Sequence, residues 1–485
     1  MVMAARPGPG EMWKPEEIPR LFGTDGIRMV VGREMSPEFI AEVASALATY
    51  LDGHGDVLVA RDFRISSEAM ARILSGALMM HGVNVREMGP MPTPCLQFNI
   101  RALRASMGIT VTASHNPNEF NGIKFTGPEG IEIPRSAEEM IERTVYRKEF
   151  GEGSWDRVGD IRLDGQGVDR YVDSILCLAG IPEIRAWNPL VVLDPGNGTS
   201  AVTSPGMLRR LGCRVITLNA SPDGHFPGRP SEPTKENLWA LSKAVVEFGA
   251  QLGIAHDGDS DRVAFVDEKG NYLPGEATLA LFAQRRLEEH PGATVVTSIT
   301  SSSVVDEVVR AAGGKLHVTR SGSLPVAEGV RGKNAVFGGE ENGGYYWPEH
   351  QVARDGPMSS AKMIGLLATT KRPLSELFDL LPKFSVLKTK VALPKAERAP
   401  VMAKVREALA DGASRLVTVD GVKAFFPDGW ILIRPSGTEP ICRIYAESTR
   451  PAAAQILLDG GLAVVASARS ALTGTASTEM SGSLD

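Results

Sequence analysis

The sequence predicts three related α/β domains followed by a smaller α+β domain. Three observations carry that expectation. The chain has 485 residues, more than one hydrophobic core organises. In three successive stretches an apolar, β-branched run leads through a polar loop into an amphipathic helix, the signature of an α/β unit. The final stretch instead alternates short strands with Gly or Asp turns.

The first unit reads as a strand over residues 57–60, the loop Arg61-Asp62-Phe63-Arg64, and a helix opening at Ser66 or Ser67 and running through Ala77. The second has a strand over 190–193, the loop Asp194-Pro195-Gly196-Asn197-Gly198 and a helix over 205–211. The third has a strand over 294–298, the loop Ile299-Thr300-Ser301, a helix over 302–312 and a strand over 315–319. The last stretch reads as strands over 386–393, 416–419, 421–426, 429–433 and 441–447, with helices over 399–409 and 452–468. Strands paired through short turns, with helices on one side, make an α+β domain. The boundaries fall near 160, 268 and 383, giving domains 1–160, 161–268, 269–382 and 383–485.

Composition narrows the function class. With 43% hydrophobic and 23% charged residues the chain matches an ordinary globular enzyme. A net charge of -6 and a pI near 5.9 argue against a nucleic-acid partner, which needs a basic face. The four cysteines (Cys95, Cys177, Cys213, Cys442) form no CxxC pair, so neither a zinc site nor a disulfide framework is expected, and the cytoplasm is the natural compartment. Residues 1–20 carry no apolar signal core, and no window has the length of a membrane span. Residues 4–10 and 474–485 read as loose ends. Neither a nucleic-acid nor a membrane partner is expected.

Three loops carry the chemistry. In Thr112-Ala113-Ser114-His115-Asn116-Pro117, a serine follows a strand-like run over 107–111. Ser114 can carry a phosphoryl group if a metal and a phosphate clamp lie nearby, with His115 or Lys124 orienting the phosphate or moving the hydroxyl proton. Taken by itself the segment is equally a turn. A Ser-His-Asp hydrolase lacks its GxSxG elbow here, and adjacent Ser114 and His115 are not expected to hydrogen-bond.

In Asp257-Gly258-Asp259-Ser260-Asp261-Arg262 the carboxylates alternate, so a looped backbone turns Asp257, Asp259 and Asp261 toward one point between two strands. Three hard oxygen donors suit Mg²⁺. Asp257, Asp259, Asp261 and Glu268 also fall at EF-hand positions one, three, five and twelve, but Arg262 stands where that loop needs glycine. A solvated acidic turn is the plainer alternative; crowded carboxylates favour a cation.

Arg434-Pro435-Ser436-Gly437-Thr438-Glu439-Pro440 joins a guanidinium fork, hydroxyls and a bare glycine N–H, a workable phosphate clamp. Gly338-Gly339-Glu340-Glu341-Asn342-Gly343-Gly344 offers acids and an amide for sugar hydroxyls; a Gly-rich turn is its alternative.

Together these segments resemble the α-D-phosphohexomutase family, which includes phosphoglucosamine mutases, phosphomannomutases and phosphoglucomutases. The likeness runs from Leu21 to about Glu447, with TASHNP, DGDSDR, GGEENGG and RPSGTEP in family order. Phe22-Gly23-Thr24-Asp25-Gly26-Ile27-Arg28 is most similar to the N-terminal motif of phosphoglucosamine mutases, and GGEENGG to archaeal members.

The resemblance implies mixed-sheet α/β domains and the α+β domain around a central active-site cleft. It implies phosphoserine at Ser114, with Mg²⁺ on that phosphate and on Asp257, Asp259 and Asp261. The phosphoryl would pass between O6 and O1 of a hexose phosphate through a hexose 1,6-bisphosphate, most simply glucosamine 6-phosphate to glucosamine 1-phosphate. By the same resemblance Lys124 is a proton-transfer group, with His115 beside it, and Arg28 steadies the reacting phosphate. Arg262, Glu340 and Asn342 would contact the sugar phosphate, and Arg434, Ser436, Gly437 and Thr438 would clamp its distal phosphate. One departure stands out: many bacterial relatives end the sugar loop in Ser-Gly-His, where this chain has Asn342-Gly343-Gly344. A phosphatase and a non-catalytic sugar-phosphate binder are the readings from other classes. The binder would need a broken catalytic set, yet Ser114, Lys124 and all three aspartates are present.

Overall fold

Residues 20–23, 25–437 and 439–473 are described by the structure, a computed structural model; both expected loose ends lie outside them. Strands β1 (Ile27–Val30), β2 (Asp56–Arg61), β3 (Asn84–Pro90), β4 (Met107–Val111), β5 (Phe120–Thr126) and β6 (Ile161–Leu163) form one sheet in the order β1-β5-β4-β2-β3-β6. The next sheet holds β7 (Leu190–Asp194), β8 (Arg214–Thr217), β9 (Leu252–His256) and β10 (Val263–Val266) in the order β10-β9-β7-β8. The third holds β11 (Thr294–Ser298), β12 (Lys315–Thr319), β13 (Phe337–Gly339), β14 (Tyr345–Trp347) and β15 (Gln351–Arg354) in the order β12-β11-β13-β14-β15.

One arrangement recurs. β2 lies between parallel β3 and β4, and β5 runs antiparallel to β4. β7, β8, β9 and β10 repeat this pattern, as do β11, β12, β13 and β14. The relatedness expected from the strand-loop-helix rhythm is therefore a shared topology. The Ser114 loop, the aspartate loop and the Glu340 loop are the same hairpin of three successive domains. In all three cases the incoming strand is buried along its whole length, so its end is a fixed platform for the loop.

The first three domains share packing. Helices Pro37–Tyr50 and Ser67–Met80 bury Val43, Leu47, Leu74 and Leu78 against Val57, Val59, Ile109 and Val111 on one face of the first sheet. On the other face, Leu58 and Leu96 belong to a core that continues through Ile254 and Phe265 to Phe282, Trp347 and Met358.

The fourth unit is built separately. Strands β16 (Ser385–Ala392), β17 (Arg415–Val417), β18 (Val422–Phe426), β19 (Gly429–Pro435) and β20 (Ile441–Ser448) form an antiparallel sheet in the order β16-β20-β19-β18-β17. Val401 and Val405 of helix Arg398–Ala410 pack on it with Leu458 and Val465 of helix Pro451–Thr473, giving this unit its own core. That last helix corrects one expectation. Its 22 residues Pro451–Leu472 are long and apolar enough, by length and composition, to match a membrane span. Its alanines and sparse charges allow this, yet Ala454, Leu458 and Val465 are core residues against Ile431, Ile433 and Ile444. The three mixed α/β sheets and the antiparallel α+β unit are the predicted fold class.

Candidate active site

Ser114 sits where β4 leaves its sheet, and its backbone is left-handed, with φ at 51°. A non-glycine residue held there costs about 1–3 kcal/mol and persists only when its surroundings fix it. They do. The Ser114 N–H donates to Thr112 Oγ1 at 2.9 Å, and its carbonyl accepts Ser231 Oγ at 2.9 Å from the second domain. Arg64 Nη2 donates to the carbonyls of Ser114 and Asn116, and Nη1 to those of Pro117 and Phe120. Asp62 in turn accepts from Arg64 Nε at 3.2 Å and from Thr112 Oγ1 at 2.7 Å. The sequence alone places Arg64 only in the loop after β2. Its spacing of two from Asp62 is the one local sign of this brace.

The Ser114 hydroxyl donates to Asp257 Oδ2 at 2.9 Å. It also lies 3.3 Å from His115 Nδ1, which corrects the expectation that neighbouring serine and histidine do not meet; the positive φ at Ser114 turns the side chains together. Burial, with Arg262 and Arg28 nearby, lowers His115 to about 2, so it is a neutral imidazole.

The aspartate loop joins β9 to β10, so strands flank it and the EF-hand alternative fails. Glu268 is turned away, accepting from the Ser375 N–H. One oxygen from each of Asp257, Asp259 and Asp261 lies within 4.8 Å of the others. All three side chains are buried. Asp259 Oδ2 is taken by Thr93 Oγ1 at 2.7 Å and Lys124 Nζ at 2.8 Å. Asp261 Oδ2 is taken by Arg354 Nη2 at 2.5 Å. The remaining Oδ1 atoms of Asp259 and Asp261 are buried without a hydrogen-bond partner among the described residues. Burial and repulsion from Asp261 and Asp259 raise the Asp257 carboxyl well above its usual range. Orphaned hard oxygens beside a carboxylate that resists ionising are a donor set suited to a small divalent cation.

Behind this set lies a buried charge cluster. Lys124 Nζ is 2.7 Å from Asp25, 2.8 Å from Asp259 and 3.4 Å from Asp261. Burial by itself would lower the Lys124 pKa, but these three carboxylates raise it, so the side chain is an ammonium. Asp25 Oδ2 also accepts Arg354 Nη2 at 3.0 Å, and Arg28 Nη2 stands 3.6 Å away. Against the effect of burial, Lys124, Arg354 and Arg28 hold the Asp25 carboxyl down at about 2. Arg28 also donates to Asn116 Oδ1 at 2.9 Å, and its Nε is buried without a partner among the described residues. Arg262 borders the cluster, 3.8 Å from Asp261 and 3.5 Å from Glu232. Asp25 and Arg354 are absent from the sequence-predicted set, although Asp25 lies inside the FGTDGIR motif.

The Glu340 loop approaches from the third domain. Glu340 is buried; its Oε1 accepts the Gly322 N–H at 3.0 Å and its Oε2 has no partner. Burial raises its pKa despite Arg354 nearby. Asn342 is exposed, with Oδ1 accepting the Gly344 N–H at 3.1 Å. Thr300 Oγ1 braces the neighbouring Glu341 at 2.8 Å. Arg434 belongs to the fourth domain, with Nε 2.5 Å from Asp420 Oδ2, a partner the sequence does not announce. The same Asp420 oxygen accepts the Ser321 N–H of the third domain at 3.2 Å. Ser436 is buried and accepts the Glu439 N–H at 3.2 Å, Gly437 is exposed, and Thr438 lies outside the described residues.

The structure thus brings Ser114, His115, Lys124, Arg28, Arg262 and the three aspartates into one group. It places Glu340 and Asn342 on the facing loop and the Arg434 loop on the fourth domain.

Known proteins match along almost the whole chain. Residues 19–152, 169–270 and 274–384 match the phosphoglucomutase/phosphomannomutase alpha/beta/alpha domains I, II and III, and residues 389–459 match the C-terminal domain of the same family. A phosphoglucomutase/phosphomannomutase of Thermococcus kodakarensis is 38% identical over 91% of this chain and 98% of its own length. A phosphoglucosamine/phosphogalactosamine mutase of Sulfurisphaera tokodaii is 37% identical over 88% of this chain and 95% of its own. Among solved structures, a phosphoglucomutase/phosphomannomutase family protein of Burkholderia thailandensis superposes with a TM-score of 0.84 at 26% identity, covering 93% of this chain and 98% of that one. With these matches laid over the Ser114, aspartate, Glu340 and Arg434 loops, the chain belongs to the phosphoglucomutase/phosphomannomutase family, the phosphohexomutases.

Proposed function

We propose that this phosphohexomutase interconverts a hexose 6-phosphate and a hexose 1-phosphate through phosphoserine at Ser114, with glucosamine phosphate the preferred substrate. The observation that carries the mechanism is the Ser114 hydroxyl on Asp257, beside two orphaned carboxylate oxygens. In the first half-reaction the free sugar hydroxyl attacks the phosphoryl on Ser114. A sugar O–P bond forms, the Oγ–P bond breaks, and the product is a hexose 1,6-bisphosphate. After the bisphosphate turns over in the cleft, Ser114 Oγ takes back the other phosphoryl. Each half-reaction moves one proton from the attacking hydroxyl and returns one to the departing oxygen. Lys124 and His115, the latter beside Ser114 Oγ, are the proposed proton-transfer groups; the negative charge of a phosphate on Ser114 would raise the His115 pKa toward the range in which an imidazole exchanges protons.

Asp257, Asp259, Asp261 and the phosphate on Ser114 would hold Mg²⁺, which when bound offsets charge on the equatorial oxygens of the transferring group. Arg28 and Arg262 supply fixed positive charge beside them. Glu340 and Asn342 hold sugar hydroxyls, while Arg434, Ser436, Gly437 and Thr438 grip the phosphate that is not reacting. Either end of the sugar can then occupy either place.

The FGTDGIR segment and the likeness to a phosphoglucosamine/phosphogalactosamine mutase support the amino sugar. The likeness to a phosphoglucomutase/phosphomannomutase supports the alternative, glucose or mannose phosphate, with the same chemistry. A coupled assay on glucosamine 6-phosphate, glucose 1-phosphate and mannose 1-phosphate, with Mg²⁺ and a trace of the matching bisphosphate, separates them. Isomerisation is expected in wild type, fastest with glucosamine phosphate, and absent in Ser114→Ala. Release of inorganic phosphate without isomerisation would instead identify a phosphatase.

A further inference from the structure

We infer that Gly344 and Arg354 form one device, in which the absent side chain at 344 opens the path by which Arg354 reaches from the third domain to position Asp25 and Asp261 around Lys124. The catalytic part of this inference rests on the mutase reading of the site. Gly344 immediately precedes β14, and Arg354 ends β15, the strand paired with it. A Cβ at 344 would stand 2.4 Å from Arg354 Cδ and 2.9 Å from Cγ. Its neighbour differs in kind: Gly343 has φ at 90° and needs glycine for its backbone. Gly344 is not among the residues with positive φ, so an L side chain is excluded there by Arg354 and not by conformation.

The stem of Arg354 cannot swing aside, because its tip is pinned. Nη2 donates to Asp25 Oδ2 at 3.0 Å and to Asp261 Oδ2 at 2.5 Å, and the side chain is only 7% exposed. These two oxygens also face Lys124 Nζ, at 2.7 and 3.4 Å. Lys124 and Arg354 therefore share two carboxylates that come from different domains. Without the guanidinium, Asp25 and Asp261 would keep Lys124 as their nearest cation, with Arg28 and Arg262 farther off at 3.6 and 3.8 Å, and the ammonium would move with them. A guanidinium keeps its charge throughout the accessible pH range, so Arg354 contributes orientation and fixed charge and exchanges no proton. Because Gly344 closes the loop that carries Glu340 and Asn342, the same contact ties the position of the sugar loop to the charge cluster.

The test is a double-mutant cycle in the full-length chain: Gly344→Ala, Arg354→Ala and the pair together. In the isomerase assay G344A is expected to lower kcat about 100-fold, the cost typical of a roughly 1 Å misplacement, with KM within about threefold. R354A should behave alike, and the double variant should be no worse than R354A, because the alanine then meets no stem. Urea unfolding supplies a second readout. G344A should lower the midpoint in the wild-type background and leave it unchanged in the R354A background. Equal costs of G344A in both backgrounds, or a raised KM with kcat intact, would overturn the inference. If R354A does not fold, G344A decides alone, and wild-type kcat in that variant sinks the idea. Should the wild type isomerise no hexose phosphate, the mutase reading fails by itself, while the unfolding cycle still decides whether Gly344 and Arg354 are paired.

Discussion

Around Ser114, the charged groups of the buried cluster have several partners from more than one domain: Lys124 meets three carboxylates, and Asp25 Oδ2 meets both Lys124 and Arg354. At Arg434 the side chain is 16% exposed, and its ion pair among the described residues is with Asp420 alone. The first group stands on a core that runs continuously through three domains, the second on a unit with its own core. On the proposed mechanism the contrast fits two tasks. A group that transfers a phosphoryl twice in each turnover must present the same geometry both times, and preorganised charge does that. A clamp that must let a bisphosphate leave, turn and return works better when its grip is separable from the chemistry.

The largest effect should follow from striking the first group. Lys124→Met removes the cation that three buried carboxylates share and a proposed proton-transfer group with it. We expect kcat to fall by about 10²–10⁴ with KM within about threefold. Steady-state kinetics on the phosphorylated enzyme checks this, and a rise confined to KM would erase the distinction drawn between the two ends. Arg434→Met should show the reverse split: KM higher by about 10–100-fold, from loss of a charge-assisted contact to phosphate, with kcat changed far less.

A smaller effect should come from the joint between the third and fourth domains. Lys423 on β18 is buried and donates to the carbonyls of Ile299 at 3.0 Å and Ser301 at 2.9 Å, with its ammonium 3.6 Å from the Trp430 ring centroid. Burial lowers its pKa to about 8. One residue of β19, Ile433, separates its cross-strand partner Leu432 from Arg434, and Thr300, between the two carbonyls, braces Glu341 of the Glu340 loop. Lys423 thus joins the Arg434 strand to the Glu340 loop without touching the Ser114 cluster. Lys423→Met should raise KM about tenfold, the size of one hydrogen-bonded charge, and leave kcat near wild type. Lys423→Arg, which keeps the donors and the ring contact, should recover most of the loss. A kcat defect in K423M would mean that the two ends are not separable.

Local pattern carried much of this architecture. β4 and β11 coincide with the expected strands because each carries a buried apolar, β-branched run, and β12 because its apolar residues alternate with polar ones. The aspartate triad was legible because alternation along an extended backbone is itself the geometry. What stayed hidden is long-range pairing. Asp25 and Arg354 are 329 positions apart, and nothing near either names the other. Arg64 and Asp420 were hidden for the same reason, since a guanidinium or carboxylate in a sequence does not show which partner folding will bring. The need for glycine at 344 was equally invisible, because it depends on a side chain from another strand.

The smallest effect concerns acid, and it separates the two ends by stability instead of rate. His256 ends β9, fully buried, with Nδ1 3.1 Å from the Arg262 carbonyl and Nε2 3.4 Å from Ser204 Oγ and Ser360 Oγ. Burial lowers its pKa from 6.5 to about 4, more than the Arg262 carbonyl restores. The unfolded chain then binds a proton near pH 6.5 that the folded chain refuses until about pH 4. Stability is therefore complete above the unfolded value and declines as pH falls through that window. His115, lowered to about 2, acts in the same direction. Between pH 7 and pH 6 each histidine should cost about 0.7 kcal/mol of unfolding free energy. His256→Asn should lessen the decline measured by urea unfolding over that interval by about 0.7 kcal/mol. An unchanged decline in that variant would mean that His256 is protonated in the folded chain, and the aspartate loop would then rest on a charged histidine, not a neutral one.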